Sequence, residues 1–188
     1  MTIKAVVWDI GGVLVKAPKT NYLWNGADGS KELRYLFGSG KVSIEEFVSK
    51  GSKLLRISVE EFLNKYEEIY SARELIQETF DIYKKFSNMN YLFADTNPIH
   101  LKNLRKNFPE LSSNSVQSFM SSEIGYRKCD DESYKLITEK IECVSEEILF
   151  IDNTDWVLEK ARQEGIQTSL YVGTEKLKED LKKYDLIE

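Results

Sequence analysis

The 188-residue sequence contains a single histidine, two cysteines and three prolines. Because only His100 is available, a zinc site built from several histidines is excluded. A hydrolase of the Ser-His-Asp or Cys-His type would have to depend on that one residue. Cys129 and Cys143 form no closely spaced pair of the kind that binds zinc. Two such cysteines, without a signal-peptide pattern, predict a reduced, cytoplasmic protein.

The sequence also lacks an excess of positive charge and any long apolar segment. Its 26 lysines and arginines are outnumbered by 31 aspartates and glutamates, which gives a formal net charge of −5. Nucleic-acid phosphates require clustered cations, so we expect no nucleic-acid partner. No apolar run approaches the roughly 20 residues of a membrane-spanning helix, so we expect no membrane partner. Hydrophobic residues still make up 41% of the chain, which is sufficient for a buried core.

Apolar, strand-like segments recur along the chain, and most of them end at polar residues or glycine. The first covers 3–8 and ends at Asp9, and the others cover 90–94, 147–151, 168–172 and, more weakly, 116–120. Helical patterns lie near 98–107, 131–142, 155–164 and 174–183. The strands are of the type that is buried on both faces, and they alternate with helices. This pattern predicts an α/β fold with a Rossmann-like, mainly parallel sheet.

The region 16–86 breaks this alternation because it contains no convincing strand. Two of its segments combine helical spacing with a capping box, in which a glutamate follows a serine by three residues: Ser43 with Glu46, and Ser58 with Glu61. We therefore predict a small helical cap over 16–86, inserted after the first strand and covering the strand ends. The α/β core would then consist of 1–15 and 87–188.

Two aspartates, Asp9 and Asp152, each end a segment of this buried-strand type. The carboxyl ends of parallel strands meet at one edge of the sheet, which is where ligands bind. Two carboxylates and the nearby Gly11 carbonyl are hard oxygen ligands of the kind that Mg²⁺ prefers. The sequence therefore predicts a magnesium site formed by Asp9, Gly11 and Asp152.

Four segments, in order, resemble the motifs of the haloacid dehalogenase superfamily. They are DIGGVL at 9–14, YLFADTN at 91–97, SEIGYRK at 122–128 and FIDNTD at 150–155. With the helical insertion they extend over almost the whole chain, and the likeness is greatest to the subgroup that includes α-D-glucose-1-phosphatase-like enzymes. The resemblance implies a phosphatase in which Asp9 attacks phosphorus to form an aspartyl-phosphate, with Lys128 as the basic residue beside it.

The same resemblance implies a cofactor, a substrate class and further binding residues. The cofactor is Mg²⁺, held by Asp9, Gly11 and Asp152, and the substrate is a small phosphorylated metabolite such as a sugar phosphate. Four more residues in or beside the motifs are candidates for binding the phosphate or the substrate: Gly12, Thr96, Asn97 and Asp155.

Several positions depart from the motif pattern. Most phosphatases of the superfamily carry a second aspartate, a general acid and base, at the position that Gly11 occupies here. General acid–base catalysis contributes about 10²–10⁴ in rate, so its loss would affect poor leaving groups most. Ala94 stands in place of a serine or threonine that binds the phosphoryl group, and an ionised Asp95 beside it would oppose phosphate binding. Cys129 stands where a proline is common.

These departures leave two alternatives open. One is a catalytically impaired relative that binds a phosphometabolite or a protein partner. The other is a metal-free haloacid dehalogenase-type hydrolase, whose chemistry also begins with an aspartate attack and lacks the second aspartate. Asp152 and Gly11 favour the phosphatase over this second alternative. His100, near the start of a predicted helix, is expected to be exposed rather than catalytic.

Overall fold

A computed structural model describes residues 2–17, 23–24, 26–70 and 74–188. Within these residues the strands are β1 (Ala5–Trp8), β2 (Asn90–Ala94), β3 (Gln117–Met120), β4 (Ile148–Asp152) and β5 (Gln167–Leu170). They form one sheet in the order β3-β2-β1-β4-β5, and every neighbouring pair is parallel. The predicted α/β fold with a mainly parallel sheet is therefore confirmed.

The helices of the described residues form two groups. Those between β1 and β2 are α1 (Ser30–Gly38), α2 (Ile44–Leu55), α3 (Val59–Tyr70) and α4 (Gln77–Tyr83), followed by a 3₁₀ turn at Lys84–Phe86. The later helices are α5 (Pro98–Asn107), α6 (Pro109–Ser113), α7 (Ser121–Ile124), α8 (Asp131–Lys140), α9 (Asp155–Gln163) and α10 (Thr174–Lys183), with a 3₁₀ turn at Ser145–Glu147. None of the helices within the described ranges has both the length and the apolar character needed to cross a bilayer.

Apolar side chains cover both faces of the sheet. Because successive side chains of a strand point to opposite faces, Val6 and Trp8 join one apolar cluster while Ala5 and Val7 join the other. The first cluster also receives side chains from α4, α5, α6 and α10, and the second from α8 and α9. Burial on both sides explains why the strands read as continuous apolar runs in the sequence.

Helices α1, α2 and α3 form the cap, which has an apolar cluster of its own. Its centre is aromatic, and the rings of Phe37 and Phe47 stack with their centroids 3.8 Å apart. Both predicted capping serines accept a backbone hydrogen bond at 3.1 Å, Ser43 from Glu46 and Ser58 from Glu61. Helix α4 and the turn after it fall within 16–86 but pack with the sheet, through Phe80, Tyr83 and Phe86.

The cap meets the sheet at Ser121, the first residue after β3. The Ser121 hydroxyl donates to the Gly38 carbonyl at the end of α1 (2.7 Å) and accepts from the Thr96 backbone N–H (2.8 Å). Close by, a Cβ atom on Gly40 would lie 2.2 Å from the Ser122 carbonyl oxygen, so this approach requires glycine. The cap therefore lies over the carboxyl edge of the sheet, where β1, β2 and β4 end.

Candidate active site

Three charged side chains from distant parts of the sequence meet at this edge. Asp9 directly follows β1, Asp152 ends the adjacent strand β4, and Lys128 lies in the loop before α8. The Lys128 ammonium donates to Oδ1 of Asp9 and, at 2.6 Å, to Oδ2 of Asp152. All three side chains are buried.

Burial controls the charges of this cluster. It raises the pKa of Asp9 to about 6, although the Lys128 ammonium opposes the shift. Burial alone would lower the pKa of Lys128, but Asp9 and Asp152 outweigh it and raise that pKa above its ordinary value. The ammonium also lies 5.3 and 5.4 Å from the ring centroids of Phe93 and Phe150. Lys128 therefore stays protonated between the carboxylates.

The residues predicted to hold Mg²⁺ have donors of a suitable kind. Asp9, Gly11 and Asp152 line one cavity, and with both carboxylates ionised their negative charge exceeds the single ammonium by one. Oδ1 of Asp152 accepts the Thr154 backbone N–H at 2.8 Å, which fixes the orientation of that carboxylate. Within the described residues no three His, Cys, Asp or Glu side chains could hold a metal ion together. A divalent cation therefore fits here only if backbone, water or phosphate oxygens complete its coordination.

Asp95, which is expected to repel phosphate, accepts hydrogen bonds from the loop that carries Lys128. Its Oδ2 accepts from the Arg127 guanidinium at 2.8 Å, and its Oδ1 accepts from the Lys128 backbone N–H at 2.9 Å. On the other side of this loop, the Tyr134 hydroxyl donates to the Lys128 carbonyl at 2.9 Å. The Arg127 cation thus offsets the charge of Asp95, and the carboxylate helps to position the lysine.

The four remaining predicted residues have different environments, and their roles in phosphate binding stay predictions. Thr96 and Asn97 line the cavity; the Thr96 hydroxyl lies 3.0 Å from that of Ser122, and Asn97 caps α5. Gly12 has a positive φ of 91°, and a Cβ atom there would lie 2.4 Å from Nδ2 of Asn153. Asp155 is exposed in the first turn of α9, near Arg162.

The cavity between the sheet edge and the cap has a volume of about 700 Å³. The cap supplies Lys31, Arg34 and Tyr35 from α1, and Tyr66 and Tyr70 from α3. Neither Lys31 nor Arg34 forms a salt bridge with any residue that the structure describes. Two cap cations therefore face a cavity whose floor is formed by the Asp9 cluster.

The expectation that His100 is exposed is wrong. Its side chain lines the cavity, only 7% of the residue is accessible, and its ring stacks on Tyr70 of α3 with the centroids 4.6 Å apart. The sequence held one signal for this position. Asn97 and Pro98 start a helix at the end of a predicted strand, so the first turn of that helix lies at the same sheet edge as Asp9.

Comparisons with known proteins agree with this architecture. No protein-family model matches the sequence, and a search of curated proteins finds no match. Among solved structures, a HAD family enzyme from Bacteroides thetaiotaomicron, in complex with magnesium, is 22% identical, with a TM-score of 0.76 over 91% of this chain and 94% of that chain. The chain has the haloacid dehalogenase (HAD) fold. The fold that the motif resemblance implies is thus confirmed, including the helical cap after the first strand.

Three further structures share the HAD fold with this chain. The Bacteroides enzyme in complex with magnesium and inorganic phosphate is 22% identical, with a TM-score of 0.74 over 92% of this chain and 96% of that chain. A predicted HAD-like family hydrolase from Porphyromonas gingivalis is 19% identical, with a TM-score of 0.80 over the whole of both chains. The L-2-haloacid dehalogenase from Xanthobacter autotrophicus is 17% identical, with a TM-score of 0.62 over 99% of this chain and 85% of that chain.

Proposed function

We propose that this protein is a Mg²⁺-dependent phosphatase that hydrolyses a small phosphorylated metabolite, such as a sugar phosphate. The observation that carries the proposal is the buried cluster of Asp9, Asp152 and Lys128 on the floor of a capped cavity. The Bacteroides enzyme with the same fold, solved with magnesium and inorganic phosphate, supports the choice of phosphate chemistry.

Asp9 is the nucleophile in this proposal. Since Lys128 holds Oδ1 of Asp9, we assign the attack on phosphorus to Oδ2. The bond between phosphorus and the leaving oxygen breaks as the aspartyl-phosphate forms, and water then releases inorganic phosphate. The Lys128 ammonium holds Asp9 in place and stabilises the negative charge of the transferring group.

The magnesium ion would be held by the Asp9 and Asp152 carboxylates and the Gly11 carbonyl. When bound, it supplies positive charge that offsets the phosphate. Because two carboxylates face one ammonium, the site carries a net negative charge that a cation would neutralise. The cap side of the cavity carries the cations Lys31 and Arg34.

The size of the cavity and its lining indicate the class of substrate. A volume of about 700 Å³ lies within the range of small-molecule sites. Lys31 and Arg34 of α1, which form no salt bridge with the described residues, suit an anionic metabolite, and Tyr66, Tyr70 and His100 offer ring surfaces beside them. Both cysteines are free thiols, which fits the proposed location in the reducing cytoplasm.

A second candidate is a non-catalytic protein that binds a phosphometabolite in the same cavity. One observation favours it: Ala94 has no hydroxyl group to bind the phosphoryl oxygens, and the hydroxyl of the nearby Thr96 is engaged with Ser122. In this case the protein would bind phosphometabolites without turning them over.

Phosphate release from a panel of phosphorylated metabolites tests the proposal. We expect release by the native protein with Mg²⁺, loss of release in EDTA, and background release by Asp9→Asn. Asp81→Asn makes the same chemical change on α4, outside the cavity, and should leave the rate unchanged. Equal release by the native protein and Asp9→Asn would indicate a contaminating enzyme or another nucleophile.

Two other results would replace the proposal. Binding without turnover, by a normally folded protein, would establish the non-catalytic candidate. Hydrolysis of a haloacid that persists after complete metal chelation would establish the metal-free dehalogenase chemistry instead.

A further inference from the structure

We propose that His100 is the general acid that protonates the leaving group, in place of the aspartate that position 11 lacks. This assignment rests on the proposed phosphatase function. An alcohol leaves phosphorus readily only if its oxygen gains a proton as the bond breaks. Gly11 has no side chain to supply that proton, and we assign it to another group of the cavity rather than to water.

The carboxyl groups that line the described cavity already have other roles or partners. Asp9 is the nucleophile, Asp152 is held by Lys128 and by the Thr154 N–H, and Asp95 accepts from Arg127 and from the Lys128 backbone. Each is therefore needed as an anion rather than as a proton donor.

The tyrosines of the cavity are poor donors near neutral pH. A tyrosine hydroxyl ordinarily titrates near pH 10, and burial raises the pKa of Tyr66 far above that value. The Tyr35 hydroxyl donates to the Asp130 carboxylate at 3.0 Å. Imidazole, by contrast, ordinarily changes its charge between pH 5 and 8. His100 is the only histidine of the sequence, and the positions outside the described residues are occupied by neither histidine nor a carboxylic acid.

The position of His100 suits the geometry of the reaction. In an in-line displacement the leaving oxygen departs on the side of phosphorus opposite to the nucleophile. Asp9 lies on the floor formed by the sheet, so the leaving oxygen faces the cap. The His100 ring stacks on Tyr70 of the cap helix α3 and lines the same cavity as Asp9. The imidazole therefore lies where the sheet edge meets the cap, in the cavity into which the leaving group would depart.

The proposed proton transfers balance over the two half-reactions. In the first, Oδ2 of Asp9 bonds to phosphorus, the bond to the leaving oxygen breaks, and the His100 imidazolium gives its proton to that oxygen. In the second, the neutral imidazole accepts a proton from the water that attacks the aspartyl-phosphate. Inorganic phosphate leaves, and the Asp9 carboxylate and the His100 imidazolium are regenerated without any further reactant.

The decisive experiment compares His100→Gln with the native protein on two substrates in Mg²⁺. Glycerol 3-phosphate has a poor alcohol leaving group, whereas acetyl phosphate has a good one that needs no proton. We expect kcat to fall by about 10²–10⁴ on glycerol 3-phosphate and by less than about threefold on acetyl phosphate. An equal loss on both substrates would mean that His100 has only a structural role and would overturn the assignment. Lys102→Gln, on the exposed side of α5, is the matched control and should change neither rate.

A double-variant cycle gives an independent test. A Cβ atom on Gly11 would have no atom within 4 Å, so the backbone accommodates the side chain that Gly11→Asp introduces. If His100 supplies the leaving-group proton, Gly11→Asp should raise the glycerol 3-phosphate rate much more in the His100→Gln protein than in the native one. Equal gains in the two backgrounds would overturn the assignment. Absence of phosphate release by the native protein from these two substrates and from every metabolite of the panel would instead overturn the phosphatase function itself.

Discussion

The charge states of individual site residues depend on their burial among other charges and aromatic rings. Lys128, Asp9 and Asp152 are almost inaccessible to water, and the lysine contacts both carboxylates. Removing water strengthens each of these interactions, and it also raises the cost of a charge that is left without a partner. Burial therefore raises the pKa of Asp9, although the neighbouring Lys128 ammonium opposes the shift.

We expect the Asp9 carboxyl group of the metal-free protein to titrate near pH 6 rather than near its ordinary value of 3.8. Because the folded protein holds this proton more tightly than the unfolded chain, the contribution of Asp9 to stability increases as pH falls from 6 towards 4 and is lost as pH rises through 6. Carbon-13 NMR of the aspartate carboxyls in EDTA, with Asp9→Asn to assign the resonance, measures the midpoint. A midpoint near 4 would contradict the prediction.

At the scale of elements, the site is held together by loops that follow the strands. The loop after β2 carries Asp95, which binds the loop before α8 through Arg127 and the Lys128 backbone. Asp95, which is expected from the sequence to oppose phosphate binding, thus has a structural role, since it links the second motif to the third. The lysine is positioned from both sides, because Tyr134 binds its carbonyl.

Asp95→Asn removes the charge from this link. Hydrogen bonds to charged groups are worth about 1.5–3 kcal/mol, so we expect the free energy of unfolding to fall by roughly 1–2 kcal/mol and kcat to decrease as Lys128 is loosened. Urea unfolding and steady-state kinetics measure the two effects. Asp81→Asn removes an exposed ion pair with Lys84, which solvent screens, and should change the free energy of unfolding much less. Tighter phosphate binding by Asp95→Asn with an unchanged kcat would show that Asp95 acts mainly by repulsion.

Elements with local signals were predictable from the sequence, and those without them were not. The helix predicted over 98–107 matches α5, because Asn97 and Pro98 mark its start. Helix α1 begins after Gly29, whose left-handed backbone provides no capping side chain, so nothing in the sequence marked its start. The burial of His100 depends on Tyr70, and the role of Asp95 depends on Arg127. Both are tertiary contacts between residues far apart in the chain, so local pattern could not predict them.

At the scale of the whole molecule, charge is distributed unevenly. The protein has a formal net charge of −5, yet the cap side of its cavity carries Lys31 and Arg34 without ion-pair partners in the described structure. Such cations attract an anionic substrate over distances of about 10 Å at moderate salt, and dissolved ions weaken the attraction. If the proposed phosphatase function holds, the cap would therefore attract the substrate as well as cover the site.

Arg34→Gln should weaken this attraction without altering the chemical step. We expect KM to rise by roughly threefold to tenfold, the equivalent of about 1 kcal/mol, and kcat to change little. The salt dependence of kcat/KM should also become shallower than that of the native protein. Lys53→Gln, on the exposed surface of α2 and outside the cavity, is the matched control. A fall in kcat with KM unchanged would contradict this role for Arg34.

The contact of Ser121 with Gly38 has a consequence for protein engineering. A single hydroxyl there bridges the end of the first cap helix and the backbone after β2, and Gly40 leaves no room for a side chain beside it. A chimera carrying a cap from another protein would have to reproduce both features between its first two helices, namely a backbone carbonyl placed like that of Gly38 and a glycine at position 40. This contact therefore limits which caps could be joined to the same α/β core.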